Sequence, residues 1–120
     1  MVYFRSSNNL TGSWYLDNNI FSSAQSGAEL DLFTGMEYAY NAYYGVVIPI
    51  GTGGDTHAVT SGPGLVNPGA GGSGIDTLNG YKLQPNSPLK DAGIAIADNG
   101  GRDFFGTALP SGSPSIGAAQ

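Results

Sequence analysis

Residues 14–23 read WYLDNNIFSS and residues 36–45 read MEYAYNAYYG, and the two stretches match at an offset of 22 residues. The offset aligns Trp14 with Met36 and Asn19 with Asn41, so apolar and amide positions coincide. A repeat of about this length is typical of one rung of a solenoid, which buries its inner face only by stacking on its neighbours. Stacked asparagines at a bend would bond through their amides as a ladder. The repeat therefore predicts an all-β chain that forms a short right-handed parallel β-helix of two to three rungs.

Glycine and proline divide the rest of the chain. The length of 120 residues suits a single domain spanning 1–120. Within it we expect β-helix rungs over 1–50, a Gly-rich loop over 51–74 and an irregular C-terminal cap over 75–120. Residues 1–5 look like a strand inside a further rung, whose unpaired edge would favour a homo-oligomer. A Tyr- and Asn-rich β-sandwich, in which the repeat is coincidental, is the alternative fold.

The composition excludes several classes of partner. The net charge is −5, and the positive residues are Arg5, Lys82, Lys90 and Arg102. No basic patch exists to neutralise phosphates, so we expect neither nucleic acid nor an anionic membrane as a partner. The chain has no cysteine, which excludes disulfides and thiolate metal sites. The longest apolar run, residues 46–50, is too short to span a membrane, and no signal peptide follows Met1.

The second half of the chain carries four recognisable motifs: GPGLVNPGAGG, GYKLQPNSPLKDAG, NGGRDFFG and SPSIGAAQ. Together they resemble the C-terminal region of secreted bacterial right-handed parallel β-helix proteins of the pectate-lyase-like, carbohydrate-active kind. That resemblance implies a polysaccharide as partner and an extracellular location. Many such proteins are glycoside hydrolases or polysaccharide lyases, with catalytic residues usually on central rungs that this chain lacks.

Paired carboxylates are the first candidates for catalysis. Glu29 and Asp31 are two residues apart on a predicted strand, so they would point the same way about 6.5–7 Å apart. A separation of roughly 6.5–9.5 Å suits an inverting glycosidase. Glu37 would join them from the next rung, beside its aligned neighbour Tyr15. The alternative is a solvent-exposed strand face, on which these acidic side chains are simply solvated and have no catalytic role.

Tyrosines would provide the flat faces on which sugar rings bind. The candidates for substrate binding are Tyr15, Tyr40, Tyr43 and Tyr44.

The remaining candidates favour structural roles. His57 follows Asp55 by two residues and would need Thr60 or Ser61 as a nucleophile, so an ordinary loop histidine is the preferred interpretation. In the cap, a buried Arg102 would be tied to carbonyls or to Asp91 or Asp98, and both Arg102 and Asp103 are interpreted as structural.

Residues 71–79 read GGSGIDTLN and fit a single copy of a calcium-binding β-roll repeat, with Asp76 as a weak metal candidate. No other cofactor is expected. A turn that closes on Leu78 explains the same stretch without calcium.

Three functions follow from these observations. The first is a carbohydrate-active module that hydrolyses polysaccharide through its paired carboxylates, as a glycoside hydrolase. The second is a non-catalytic glycan-binding module or the structural cap of a larger β-helix enzyme. The third is a calcium-stabilised adhesion module.

Overall fold

The two copies of the repeat form parallel strand pairs in the computed structural model, which describes residues 2–3, 12–31, 36–47 and 54–120. The strands are β1 (Val2–Tyr3), β2 (Trp14–Asp17), β3 (Ile20–Ser22), β4 (Ala28–Asp31), β5 (Met36–Ala39), β6 (Ala42–Tyr44) and β7 (Val46–Val47). A 3₁₀ helix spans Ile75–Tyr81. No helix in these ranges is both long and apolar enough to cross a membrane.

Strand register follows the offset of 22 residues. β2 pairs with β5 so that Trp14 lies opposite Met36, and β3 pairs with β6 so that Ile20 lies opposite Ala42. The third sheet has the order β1–β4–β7 and is also parallel. The pairing that the repeat predicts is therefore confirmed for β2–β5 and β3–β6, since identical spacing brings like residues to like positions.

The predicted β-helix of two to three rungs is wrong as a description of the fold. Strands of two to four residues form two two-stranded sheets and one three-stranded sheet, and these short ladders do not continue into a solenoid. Within the described residues after β7, parallel stacking on the strands continues as a single bridge between Ala42 and Val59. Pro63 and Gly64 follow, and proline lacks an N–H while Gly64 has a φ of 61°. The chain therefore leaves the stack instead of adding a layer.

Residues 60–120 satisfy their backbone groups through turns and side chains. Two isolated antiparallel bridges join Leu65 to Leu83 and Arg102 to Ala108. The guanidinium of Arg102 donates to the carbonyl of Gly106 at 2.7 Å, as expected, but the residue is exposed and not buried. This half of the described chain is therefore irregular apart from the 3₁₀ helix.

The core lies where the irregular half covers the β3–β6 pair. Ala42, Leu89 and Ile116 are almost completely buried. The partly buried residues packed around them are Ile20, Val59, Leu83 and Ala92. A backbone bond from Ile116 to the carbonyl of Leu89, 2.8 Å long, fixes the two tail segments together. Strands and tail thus stabilise each other, because neither has enough apolar surface alone.

The unpaired strand edge that was predicted at residues 1–5 falls largely outside the described residues. Val2 and Tyr3 pair with Leu30 and Asp31 of β4. Residues 1, 4 and 5 lie outside the described ranges, and so does the Gly51–Gly53 stretch of the predicted loop.

Candidate ligand-binding groove

An open groove of about 870 Å³ runs between the β3–β6 pair and the tail. Ligand sites in proteins have volumes of about 300–1,000 Å³, so the groove has the size of a ligand site. Its lining residues are Asn18, Asn19, Ile20, Ser22, Ser23, Ala24, Tyr44, Leu65, Pro68, Gly69, Tyr81, Gly117 and Ala118. Every one of these is described, and none carries a charge.

Two tyrosines give the groove its aromatic surfaces. Tyr44, at the end of β6, is 48% exposed, and Tyr81, at the end of the 3₁₀ helix, is 45% exposed. The Tyr81 hydroxyl accepts a hydrogen bond of 3.3 Å from the N–H of Gly69. A tyrosine combines an apolar ring with a polar tip, so it can meet a ligand that has both characters.

The Tyr44 ring is positioned by the backbone around it. Its carbonyl accepts a bond of 2.9 Å from the N–H of Ser23, which holds the end of β6 against the chain leaving β3. Gly45 follows with a φ of 68°, and a Cβ there would collide with the carbonyl oxygen of Ser23. Only glycine allows this close approach at a positive φ.

Asn18 connects the strands to the tail wall of the groove. Its Nδ2 donates to the carbonyl of Ile94 at 2.8 Å, and its Oδ1 accepts from the N–H of the same residue at 2.9 Å. Its own carbonyl accepts from the N–H of Gly117 at 2.9 Å. Asn18 has a φ of 59°, a conformation that asparagine tolerates better than most residues.

A buried polar cluster supports the opposite end of the β3–β6 pair. Asn19 donates through Nδ2 to Oδ1 of Asn41 at 3.1 Å, so the predicted asparagine ladder is confirmed. Asn41 in turn donates through Nδ2 to Asp55 at 3.1 Å. The carboxylate of Asp55 also accepts from the backbone N–H groups of Tyr40, Asn41 and His57.

Tyr43 lies inside this cluster and not on the surface. Only 2% of it is exposed, its ring stacks on Phe21, and its hydroxyl donates to Asp55 at 3.3 Å. Burial raises the pKa of Tyr43 above its ordinary value, and the charge of Asp55 raises it further. The ring of Tyr43 therefore offers no face to a ligand in this structure.

His57 has no catalytic partner of the expected kind. Asp55 bonds to the backbone N–H of His57, and the ring Nδ1 lies 3.1 Å from the hydroxyl of Thr56, not of Ser61 or Thr60. The ring stacks on Tyr40 with 4.0 Å between centroids. One face of the Tyr40 ring is therefore covered by His57, and Tyr40 does not line the groove.

The predicted catalytic carboxylates are described only in part. Glu29 and Asp31 belong to β4, where Glu29 lies opposite Val47, but their side chains lie outside the described part of the structure. Glu37 is exposed on β5 and lies opposite Tyr15 of β2, as the offset predicts. Tyr15 is 64% exposed. Their roles in catalysis and sugar binding stay predictions.

Asp76 does not sit in a cluster of metal ligands. It is an exposed residue in the first turn of the 3₁₀ helix, and its carbonyl accepts from Nδ2 of Asn79 at 2.8 Å. Across residues 12–31, 36–47 and 54–120, no three His, Cys, Asp or Glu side chains come together as a metal site would require.

Of the groove's main residues, sequence reasoning named Tyr44 as a ligand residue and missed Tyr81 and Asn18. No periodicity in the sequence separates Tyr81 from the apolar residues of the cap around it. Asn18 adjoins the ladder residue Asn19, and its bonding partner Ile94 lies 76 residues away, so no local pattern marks it. Comparison of the chain with models of protein families and with curated proteins finds no match in either case.

Proposed function

We propose that this protein is a glycan-binding module whose groove holds a neutral polysaccharide. The observation that carries the proposal is the uncharged groove of about 870 Å³ with Tyr44 and Tyr81 exposed in its lining. A sugar ring has apolar C–H faces and a rim of hydroxyls, and the tyrosine rings match the faces. The hydroxyls match the amides and serines beside them.

The polar lining supports a neutral ligand over an ionic one. Ser22, Ser23 and Asn18 supply hydroxyl and amide groups that both donate and accept, as sugar hydroxyls do. A charged ligand would need an opposite charge to offset its loss of water, and no residue lining this groove has one. The net charge of −5 also disfavours acidic polymers.

Binding to insoluble polysaccharides tests the proposal. Cellulose, xylan, mannan and starch are incubated with the purified chain, and depletion of protein from solution is measured. Tyr44→Ala and Tyr81→Ala should each weaken retention about three- to tenfold, as expected for loss of an aromatic contact of about 1 kcal/mol. Tyr81→Phe, which keeps the ring, should bind close to wild type.

Ile75→Ala is the matched control, because Ile75 is 51% exposed and does not line the groove. Retention equal in wild type and both alanine variants would overturn the proposal, and so would retention by none of the four polysaccharides.

The same samples test hydrolysis, which is the second candidate function. Glu37, exposed beside Tyr15, is the described carboxylate that favours it. Reducing-sugar release that disappears in Glu37→Gln, Glu29→Gln or Asp31→Asn would make the protein a glycosidase. Retention without release would leave it a binding module.

A further inference from the structure

A second cavity adjoins the groove across a low wall. It has a volume of about 340 Å³ and shares Asn18, Gly117 and Ala118 with the groove. Gly117 has no side chain and Ala118 has only a methyl group, so of the three shared residues only Asn18, whose side chain is bonded to Ile94, is large enough to separate the two spaces. Gly117 has a φ of 106°, and a Cβ there would lie 2.6 Å from the Cδ1 atom of Ile20, so glycine is required at this point.

The second cavity has aromatic and apolar surfaces like the groove, but its lining also includes two charged residues, Arg102 and Asp103. Phe104, which is 54% exposed, supplies an aromatic surface, and Ile96 adds an apolar one. Asn99 and Arg102 supply polar groups at its edge. The guanidinium has five N–H donors, and the bond to Gly106 uses one of its nitrogens, Nη1.

Asp103 also lines this cavity, but its carboxylate is occupied by the backbone. It accepts from the N–H groups of Phe105 at 2.9 Å, Thr107 at 2.7 Å and Gln120 at 3.0 Å. These bonds stabilise its charge and fix the tail segment 114–120 that forms the wall. The cavity therefore does not repel a hydroxyl-rich ligand.

We infer that the groove and the second cavity are consecutive subsites for one oligosaccharide chain, so that the ligand is an extended glycan and not a single sugar. This inference rests on the proposed function and names the ligand class of the same site. A chain that crosses the wall at Gly117 and Ala118 would place one sugar against Tyr81 and a later one against Phe104. Linked contacts raise affinity because the second contact forms within an already bound ligand.

Affinity as a function of chain length tests the inference. Cello-, xylo-, manno- and malto-oligosaccharides of one to six units are titrated by calorimetry into wild type, Phe104→Ala and Tyr81→Ala. In wild type, affinity should rise with length until both subsites are filled. Phe104→Ala should lose about three- to tenfold for the longest oligosaccharides and leave the affinity for the shortest that bind unchanged.

Two further variants keep the test selective. Phe104→Tyr should restore the dependence on length, because it keeps the ring. Ile75→Ala should match wild type at every length. Tyr81→Ala should weaken binding at all lengths, since its subsite holds the short ligands too.

The outcomes separate the two proposals. Affinity that does not rise with length, or a Phe104→Ala variant that behaves like wild type with the longest chains, would overturn the extended cleft and leave the groove as a binding site. Equal losses at every length in Phe104→Ala would overturn it as well. Absence of binding at all lengths would overturn the proposed function, and the inference with it.

Discussion

At the scale of single residues, Asp55 accepts backbone hydrogen bonds that hold its loop against the β5–β6 corner. It is 9% exposed and accepts five hydrogen bonds, three of them from backbone N–H groups of residues near the β5–β6 corner. A buried carboxylate is stable only when such donors compensate for its lost water. Asp55 therefore fixes its loop to the strands together with the backbone bonds between Val59 and residues 41 and 43.

The ionisation of Tyr43 makes the stability of this cluster depend on pH. Its pKa is raised above the ordinary value of 10 by burial and by the charge of Asp55, so the folded chain holds this proton more tightly than the unfolded chain. The resulting stability is fully present below pH 10 and is lost as the pH rises through the folded-state pKa. Tyr43→Phe should lower the free energy of unfolding by about 1 kcal/mol at pH 8 and flatten its decline above pH 10.

Urea denaturation from pH 8 to pH 11 measures both effects. Tyr15→Phe is the control, because Tyr15 is 64% exposed, and it should follow wild type. A Tyr43→Phe variant with the wild-type slope above pH 10 would contradict the assignment.

Asn18 stabilises the fold in two ways, because it tolerates a positive φ and its side chain bonds to Ile94. Two substitutions separate these contributions. Asn18→Gly keeps the conformation at a φ of 59° but removes both hydrogen bonds to Ile94. Asn18→Ala removes the bonds and adds strain, since alanine at positive φ costs roughly 1 kcal/mol more. We expect thermal unfolding to rank wild type above Asn18→Gly, and Asn18→Gly above Asn18→Ala. Equal stability of the two variants would show that the left-handed conformation costs nothing.

At the scale of elements, the sequence predicts strand register much better than tail conformation. The pairs β2–β5 and β3–β6 follow from matching residues at a fixed offset, and the Asn19–Asn41 ladder follows from the same match. Continuation of the stack was wrongly predicted, because a repeat seen twice does not show what the chain does after its second copy. The tail has no period, and side chains such as Asn18 and Asp103 determine its path.

The tail segment 114–120 depends on Asp103. Partial burial works to raise the pKa of Asp103, but hydrogen bonds from the N–H groups of Gln120, Thr107 and Phe105 outweigh it and hold the pKa below its usual value. The folded chain therefore binds this proton less tightly, and the stabilisation is present above the ordinary pKa of 3.8 and lost as the pH falls through the lowered one.

Asp103→Asn should loosen the tail at neutral pH and remove its contribution to acid sensitivity. Amide hydrogen exchange at Gln120, Thr107 and Phe105 reports this directly, because asparagine keeps one acceptor oxygen instead of two and has no negative charge to strengthen the remaining bonds. Protection there should fall severalfold while that of Ala42 in β6 is retained. Asp76→Asn, an exposed acid in the 3₁₀ helix, is the control. Unchanged protection in Asp103→Asn would show that the tail holds without the carboxylate.

At the scale of the whole molecule, the groove lies between two parts of the chain, the repeat and the irregular half, and both line it. The two copies of the repeat contribute Tyr44 and Ser23, whereas the irregular half contributes Tyr81 and the wall at Ala118. Neither half encloses the space alone, which is why a search for motifs along the sequence did not find the site. The same division explains why the core residues Ala42, Leu89 and Ile116 come from distant parts of the chain.

The charge distribution of the whole molecule leads to the last prediction. The chain carries a net charge of −5, yet the groove is lined without a charged residue, and the proposed ligand is neutral. Coulombic attraction would therefore contribute little to binding, and salt would have little to screen. Affinity for the retained polysaccharide should change by less than about twofold between 0.05 and 0.5 M NaCl, in contrast to the steep dependence of binding through phosphate contacts. A strong fall of affinity with salt would instead show that ionic contacts dominate recognition, and would contradict an uncharged groove as the main site.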